Sequence, residues 1–284
     1  MNGRGHGVEE IVRSTKFSKD AGLKIVYHVM PGMYGTSPED DLESFRAIVS
    51  DERFKPDMLK IYPTLVVKGT ALYNLWKMGK YRPPDTGESV EIISEFLKIC
   101  PPWVRVQRMQ RDIPVSFIES GVKRSDIRNL IDRKLSDEGF RTWEIRSREI
   151  GKYTGSSGTP HLVRRDYEAS DGKEVFLSME DGYRIFGFLR LRIPSDDSFR
   201  PEMLGSSVVR EIKVLGEVVP LGEHRDDLWQ HKGLGRELLR TAEKISADEF
   251  DCKRMNVISG IGVREYFRKN GYERDGPYMF KSVR

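Results

Sequence analysis

The run Gln230-His231-Lys232-Gly233-Leu234-Gly235-Arg236 follows an alternating apolar segment, Val208-Val209-Arg210-Glu211-Ile212-Lys213-Val214. It leads into Glu237-Leu238-Leu239-Arg240-Thr241-Ala242-Glu243-Lys244-Ile245, a segment with helical periodicity. The order predicts a strand that delivers a glycine-bearing turn to a helix N-terminus. Such a turn binds anions, because the first helical N–H groups have no intrahelical partners and the macrodipole adds positive potential there. Gly233 and Gly235 let the backbone approach a phosphate with no Cβ in the way. The spacing is Gln-x-x-Gly-x-Gly, which is neither the P-loop nor the dinucleotide fingerprint.

The rest of the chain supplies an α/β setting for that turn. Helices are expected over 8–20, 38–49, 72–76, 89–99 and 125–138, with Gly22 closing the first and Ser125 capping the last. Strands are expected over 23–29, 58–62 and 104–109, and the alternation with helices argues for parallel pairing. Residues 151–160, Gly-Lys-Tyr-Thr-Gly-Ser-Ser-Gly-Thr-Pro, read as a boundary loop. After it come strands at 161–169, 173–180, 184–193, 208–214, 254–259 and 278–281, with helices at 233–250 and 263–269. Three regions are therefore expected: 1–100, a basic stretch 101–150, and 151–284 with a mixed sheet.

The 284 residues are 38% hydrophobic and 32% charged, enough for a core beneath a well-solvated surface. No apolar run reaches the length of a membrane span, and residues 1–30 lack the apolar core of a signal peptide, so a cytoplasmic protein is expected. Cys100 and Cys252 form no C-x-x-C pair, and no metal site is expected. The net charge of +4 is a mild bias, but Arg105, Arg108, Arg111, Lys123, Arg124 and Arg128 crowd the middle of the chain. Charge alone leaves two readings, a phosphate-binding face or a solvated helix face with interspersed acids.

The strand, Gln-x-x-Gly-x-Gly turn, helix, strand and short helix resemble the GNAT acetyltransferases, which hold the pyrophosphate of acetyl-CoA at this turn. That resemblance implies cofactor contacts from Gln230, Gly233, Leu234, Gly235 and Arg236. It also implies a splayed strand at Glu211, Ile212, Lys213 and Val214 whose backbone pairs with the pantetheine amides. Tyr266 and Phe267 on the last helix fall near the thioester, and Tyr266 is the candidate donor to the departing thiolate. Its alternative is a core aromatic beside Tyr272.

Over its whole length the chain resembles the catalytic subunit family of Elongator, a radical-SAM plus GNAT enzyme of tRNA modification. The resemblance rests on Arg4-Gly5-His6, Lys19-Asp20-Ala21-Gly22, His28-Val29-Met30-Pro31-Gly32 and Phe54-Lys55-Pro56-Asp57. It continues through Leu59-Lys60-Ile61-Tyr62-Pro63-Thr64, Gly69-Thr70, Leu72-Tyr73, Leu75-Trp76, Arg146-Ser147-Arg148-Glu149-Ile150-Gly151 and Val163-Arg164-Arg165-Asp166-Tyr167. Val257-Ile258-Ser259-Gly260 and Gly276-Pro277-Tyr278-Met279 complete it.

The family implies a partial radical-SAM-type (β/α) barrel over 1–100, a basic interdomain region over 101–150 and a GNAT domain over 151–284. It implies acetyl-CoA as cosubstrate and the tRNA anticodon stem-loop as partner, with Arg164 and Arg165 joining the basic residues named above. Other Elongator-type subunits are further expected partners. The family's [4Fe–4S] cluster and S-adenosylmethionine are not expected here, because the cysteine triplet is missing. Relatives also carry a zinc-binding Cys-x-Cys pair where Thr142 and Glu144 stand, and Tyr-Tyr where this chain has Tyr266-Phe267. Three functions follow as expectations: tRNA-coupled acetyl-CoA turnover, protein lysine acetylation, or a non-catalytic tRNA scaffold. Glu211 and Glu223 are the candidate general bases.

Overall fold

The computed structural model describes residues 5–152, 158–216 and 233–284. Its first half holds α1 (Val8–Asp20), β1 (Val26–Val29), α2 (Pro38–Ser50), β2 (Met58–Ile61), β3 (Val66–Val67), α3 (Ala71–Lys77), α4 (Thr86–Lys98), β4 (Arg105–Arg108), β5 (Ile118–Ser120), α5 (Ile127–Asp137) and α6 (Ile145–Arg148). Then follow β6 (His161–Ala169), β7 (Gly172–Asp181), β8 (Arg184–Ile193), β9 (Ser206–Val214), α7 (Leu234–Asp248), β10 (Arg254–Ile258), α8 (Arg264–Lys269), β11 (Glu273–Asp275) and β12 (Tyr278–Ser282). The chain forms two compact units. Among the described residues, no helix is long and apolar enough to cross a membrane.

The unit of Val26–Asp51 and Lys55–Ser147 is built on a parallel sheet in the order β1-β2-β4. Its helices start where short polar side chains satisfy the first free amides. Ser37 Oγ accepts from Asp40 N at 3.2 Å at the head of α2, and Asp85 Oδ1 accepts from Glu88 N at 2.9 Å at the head of α4. The two helices meet through Phe45 and Phe96, whose rings stack at 4.2 Å. The stretch 101–150 is not a separate basic linker, as the sequence suggested. Within it β4 completes the parallel sheet, and Ile127, Ile131 and Leu135 on α5 fall at helical spacing into the same core as Leu59, Ile93 and Val106. The cap of α5 is Asp126, one residue later than expected.

The second unit joins Met1–Ile25 and Glu52–Phe54 to Arg148–Arg284, so the first 25 residues do not belong with 26–100 as the sequence suggested. It carries a mixed seven-stranded sheet in the order β11-β12-β10-β9-β8-β7-β6, antiparallel except for the β9–β10 pair. Residues 174–180 of β7 and 185–192 of β8 are buried on both faces. The α7 helix covers one face, where Ser246 Oγ accepts from Ser207 Oγ at 2.7 Å. The segment ending α1 covers the other. A Cβ on Gly22, at φ +83°, would lie 3.0 Å from Val208 Cγ2, so this crossing requires glycine twice over.

That second face carries arginines. Arg192, Arg210, Glu174, Lys19 and Asp20 are all at most 2% exposed. Arg192 donates to Asp20 Oδ1 from Nη2 at 2.6 Å and from Nε at 2.8 Å, and to Glu174 Oε1 from Nη1 at 3.0 Å. Arg210 donates to Glu174 Oε2 at 2.8 Å and to the Leu23 carbonyl at 2.9 Å. Ser195 Oγ donates to Asp20 Oδ2 at 2.6 Å. The pairs tolerate burial because each carboxylate is bonded from several sides. Arg192→Met should lower unfolding stability by about 3–5 kcal/mol, since it strands two buried carboxylates. Urea denaturation is the check, and an unshifted midpoint would mean that the network contributes little to the fold.

Candidate functional site

The geometry of β9 sets the site. On one side it stays paired with β8 as far as Gly187↔Val214. On the other, the parallel register with β10 ends at Val209↔Val257, so Glu211, Ile212, Lys213 and Val214 run on beyond β10. The change falls at a β-bulge. Leu191 faces Val209 and Arg190 faces Glu211, leaving Arg210 as the extra residue. Bulges bend the strand and increase its local twist.

The α7 helix begins opposite this strand. Gly233 is its N-cap in the left-handed region at φ +78°, and its carbonyl accepts from Arg236 N at 2.9 Å and Glu237 N at 3.0 Å. Gly235 lies one step inside. A Cβ there would be 3.3 Å from the Tyr266 hydroxyl and 3.5 Å from Val214 Cγ2. Three expected site residues from β9, α7 and α8 thus converge on one point. Leu234 is buried and offers only its backbone, whereas Arg236 is exposed at the helix start. Gln230, His231, Lys232 and Glu223 lie outside the described residues.

Tyr266 is 37% exposed. Burial raises the pKa of its phenol; nearby Arg236 opposes that shift and Glu243 reinforces it. The hydroxyl is therefore a proton donor across the neutral range. Phe267 differs from expectation: it is 2% exposed, with its ring 5.3 Å from Tyr266 and 5.6 Å from Tyr272. On a short helix adjacent positions point in different directions, and here Phe267 takes the core and Tyr266 the site. Glu211 is also committed elsewhere. Its carboxylate accepts from Arg190 Nε at 3.1 Å and pairs with Lys24 Nζ at 3.4 Å, a poor setting for a general base. The sequence reading missed Glu243, which accepts from Tyr272 OH and Lys281 Nζ, both at 2.9 Å, behind Tyr266. Its place on the same helix face as Arg236 is the only signal for it.

The expected tRNA-binding cations fall into two groups. Arg164 pairs with Asp166 and Glu249, both at 2.7 Å, and Arg165 pairs with Glu180 at 2.7 Å. Arg124 pairs with Asp126, Arg108 with Asp112, and Arg128 with Glu144 at 2.5 Å. Arg128 is structural: Glu144, fully buried, also accepts from Val106 N, Arg146 N and Ser147 Oγ. Arg105 sits on β4 and is partly buried. Arg111, Lys123 and Arg124 are exposed and line a cavity of about 50 Å³ with Leu65 and Met109; Arg111 lies 5.9 Å from the Tyr62 ring centroid. Arg164 and Arg165 belong to the other compact unit.

The donor set does not suit an iron–sulfur cluster. Such clusters need several thiolates. The two thiols are buried, lie in different units, and are both pushed up in pKa by burial. Among the described residues, no group of three His, Cys, Asp or Glu side chains is arranged to hold a metal ion.

Residues 56–137 match the model of the Radical_SAM C-terminal domain. The chain is 46% identical to a tRNA uridine(34) acetyltransferase of Methanocaldococcus jannaschii, covering 98% of this chain and 53% of that protein. It is 43% identical to Elongator complex protein 3 of Danio rerio, covering 99% and 52% respectively. It thus spans about half the length of the curated relatives it matches. A solved structure of Methanocaldococcus infernus Elp3 with an N-terminal deletion superposes with a TM-score of 0.92 at 45% identity, covering 99% of this chain and 68% of that one.

Arg165 permits a test that separates packing from recognition. Burial opposes the charge on Glu180, but the hydrogen bond from Arg165 and the nearby Arg148 outweigh it, so its pKa is lowered. A lowered folded pKa gives stability that is present above the unfolded value and lost as pH falls through the folded one. Arg165→Gln should cost about 2 kcal/mol near neutrality and move acid unfolding to higher pH. Unchanged acid and urea midpoints would return Arg165 to the list of free recognition residues.

Proposed function

The chain belongs to the Elongator protein 3 family, and from that premise we propose that its C-terminal unit is a GNAT-type domain that binds and turns over acetyl-CoA during modification of the tRNA wobble uridine. The convergence of Gly235, the Tyr266 hydroxyl and Val214 at the end of the stretch of β9 that runs on beyond β10 carries this reading. The turn 233–236 supplies amides and a helix N-terminus to the pyrophosphate. The stretch of β9 beyond β10 offers backbone groups to the pantetheine amides, and an N–H near Lys213 and Val214 polarises the thioester carbonyl. Water attacks that carbonyl carbon, the C–S bond breaks, and Tyr266 donates its phenol proton to the departing sulfur; of the two protons the water gives up, one restores the Tyr266 phenol and the other passes to solvent. The products are acetate and the free CoA thiol, with no oxidant or metal required. Phe267, buried and without a hydroxyl, takes no part in proton transfer.

The parallel unit is read as part of a radical-SAM-type barrel, consistent with the family match over residues 56–137. No radical step is derived for this chain, because its thiols do not suit the cluster. Arg111, Lys123 and Arg124 are the cations best placed on that unit to meet the phosphates of an anticodon stem-loop. Other Elongator-type subunits are the proposed protein partners, and the setting is cytoplasmic.

Thiol release from acetyl-CoA should rise on adding tRNA, and the rise should fade with salt as phosphate contacts are screened. Release indifferent to tRNA would overturn the coupling. Peptide acetylation without tRNA would identify a lysine acetyltransferase, and tRNA binding with no thiol release would identify a scaffold. Gly235→Val should weaken acetyl-CoA binding by on the order of tenfold or more, since its side chain would fill the gap beside Tyr266. Tyr266→Phe should retain binding and lower turnover by about 10²-fold or more. Calorimetry and a thiol assay read the two effects, and full turnover in Tyr266→Phe would remove its role as proton donor.

A further inference from the structure

The short helix that carries Tyr266 is held from behind by one carboxylate. The α8 helix has six residues, too few to persist on its own hydrogen bonds. Its hold on the unit comes from Phe267 and from the turn that closes it. Phe267 and Tyr272 are each 2% exposed, and their rings meet edge to face at 5.6 Å. Asn270 N and Tyr272 N both donate to the Phe267 carbonyl, at 2.9 and 3.1 Å, so Tyr272 is fastened to the last turn of α8. The Tyr272 hydroxyl donates to Glu243 Oε1 at 2.9 Å, and Lys281 Nζ on β12 donates to Oε2 at 2.9 Å. Burial, and after it the Glu243 charge, keeps the Tyr272 phenol protonated, which makes it the donor of that bond.

Two points on α7 are thereby linked through α8. Glu243 holds its closing turn. The Tyr266 hydroxyl reaches Gly235, about 12 Å earlier along the same helix, where a Cβ would be 3.3 Å away. Between these points α7 buries Leu238, Leu239 and Ala242 in the unit, so it is a fixed ruler for the placement of α8. The ring of Phe267 lies between the two tyrosines, 5.3 Å from Tyr266 and 5.6 Å from Tyr272. An apolar contact of this kind sets how close two surfaces come but lets them slide. A hydrogen bond to a carboxylate also sets direction, and with its second oxygen held by Lys281 the Glu243 carboxylate is not free to turn.

We infer that Glu243 is a positioning residue: through Tyr272 and the closing turn of α8 it sets where the Tyr266 hydroxyl stands over Gly235, and so the reach of that hydroxyl to the departing sulfur. The inference rests on the acetyl-CoA reading, in which Tyr266 is the proton donor. Glu243 acts through Tyr272 and α8, and not by contact with the reacting atoms.

The test begins with Tyr272→Phe, which keeps the ring on Phe267 and removes only the hydroxyl. In thiol release from acetyl-CoA by the full chain with tRNA present, it should lower kcat about tenfold, while calorimetry finds CoA affinity within about twofold of the unaltered protein. Urea denaturation shows that each variant is folded under the assay conditions, where a merely stabilising residue would leave kcat alone. In a Tyr266→Phe background the same change should alter the rate by less than about twofold, since no hydroxyl is left to place. Glu243→Gln keeps an acceptor for Tyr272 and should retain more of the rate than Glu243→Leu, which does not. An undiminished kcat in Tyr272→Phe, an equal loss in the Tyr266→Phe background, a loss carried by CoA affinity, or equal rates for the two Glu243 variants overturns the positioning role and leaves the acetyl-CoA reading standing. An unaltered protein that binds no CoA or releases no thiol overturns both.

Discussion

The C-terminal unit depends on ions buried against its sheet. Asp20 and Glu174 lie between Arg192 and Arg210, and none of the four side chains is open to water. Desolvating four charges is costly, and only dense mutual bonding offsets it. The consequence is specificity of docking. An apolar helix end could slide on an apolar sheet, but the carboxylate of Asp20 has one seat, made by both nitrogens of Arg192 on one side and Ser195 on the other. The Tyr278 hydroxyl fixes the same turn by donating to the Ala21 carbonyl at 3.0 Å. Residues from the two ends of the chain are thereby held in one unit.

The same ions explain what was hard to read in the sequence. The alternation Arg184-Ile-Phe-Gly-Phe-Leu-Arg-Leu-Arg-Ile is that of a half-exposed strand, and period-two patterning says nothing of whether the polar face meets water or ions. The strand bounds of β6 and β8 were legible to the residue, because long alternating runs ended by turn residues are distinctive. The membership of α1 was not, because it depends on partners about 170 residues away. The basic stretch 101–150 misled for a related reason. Its charges are conspicuous, whereas its three apolar α5 residues, spread over two turns, are what bind it to the core.

At the candidate site the motif was legible and its use of side chains was only partly so. Glycine spacing specifies backbone geometry: Gly233 is a left-handed cap, and Gly235 lies where a Cβ would stand 3.3 Å from the Tyr266 hydroxyl. The order of Tyr266 and Phe267 along α8 does not say which faces inward; the packing of Phe267 against Tyr272 decides it. Among the cations, sequence density overstated availability. Arg108, Arg124, Arg128, Arg164 and Arg165 each have a carboxylate partner, and exposed pairs of this kind hold their ions weakly while buried ones are committed to the fold.

Arg210 joins these themes. It is the extra residue of the bulge at which β9 leaves β10, and its guanidinium is anchored to Glu174 and the Leu23 carbonyl. Arg210 follows Val208 onto the ionic face in ordinary alternation, and the bulge sets Glu211 on that same face beside Arg190, while Val209 stays with Ser207 on the face covered by α7. Arg210 therefore stands both where the pairing of β9 changes and where the N-terminal segment is seated, alongside Arg192 and Ser195. A neutral residue at 210 would remove two charge-assisted hydrogen bonds to Glu174, whose remaining partners include Arg192 and Lys19. The change of pairing along β9 and the docking of the N-terminal segment thus meet at one ionic cluster, in which Glu174 is shared by Arg192 and Arg210 and Arg210 also reaches the Leu23 carbonyl.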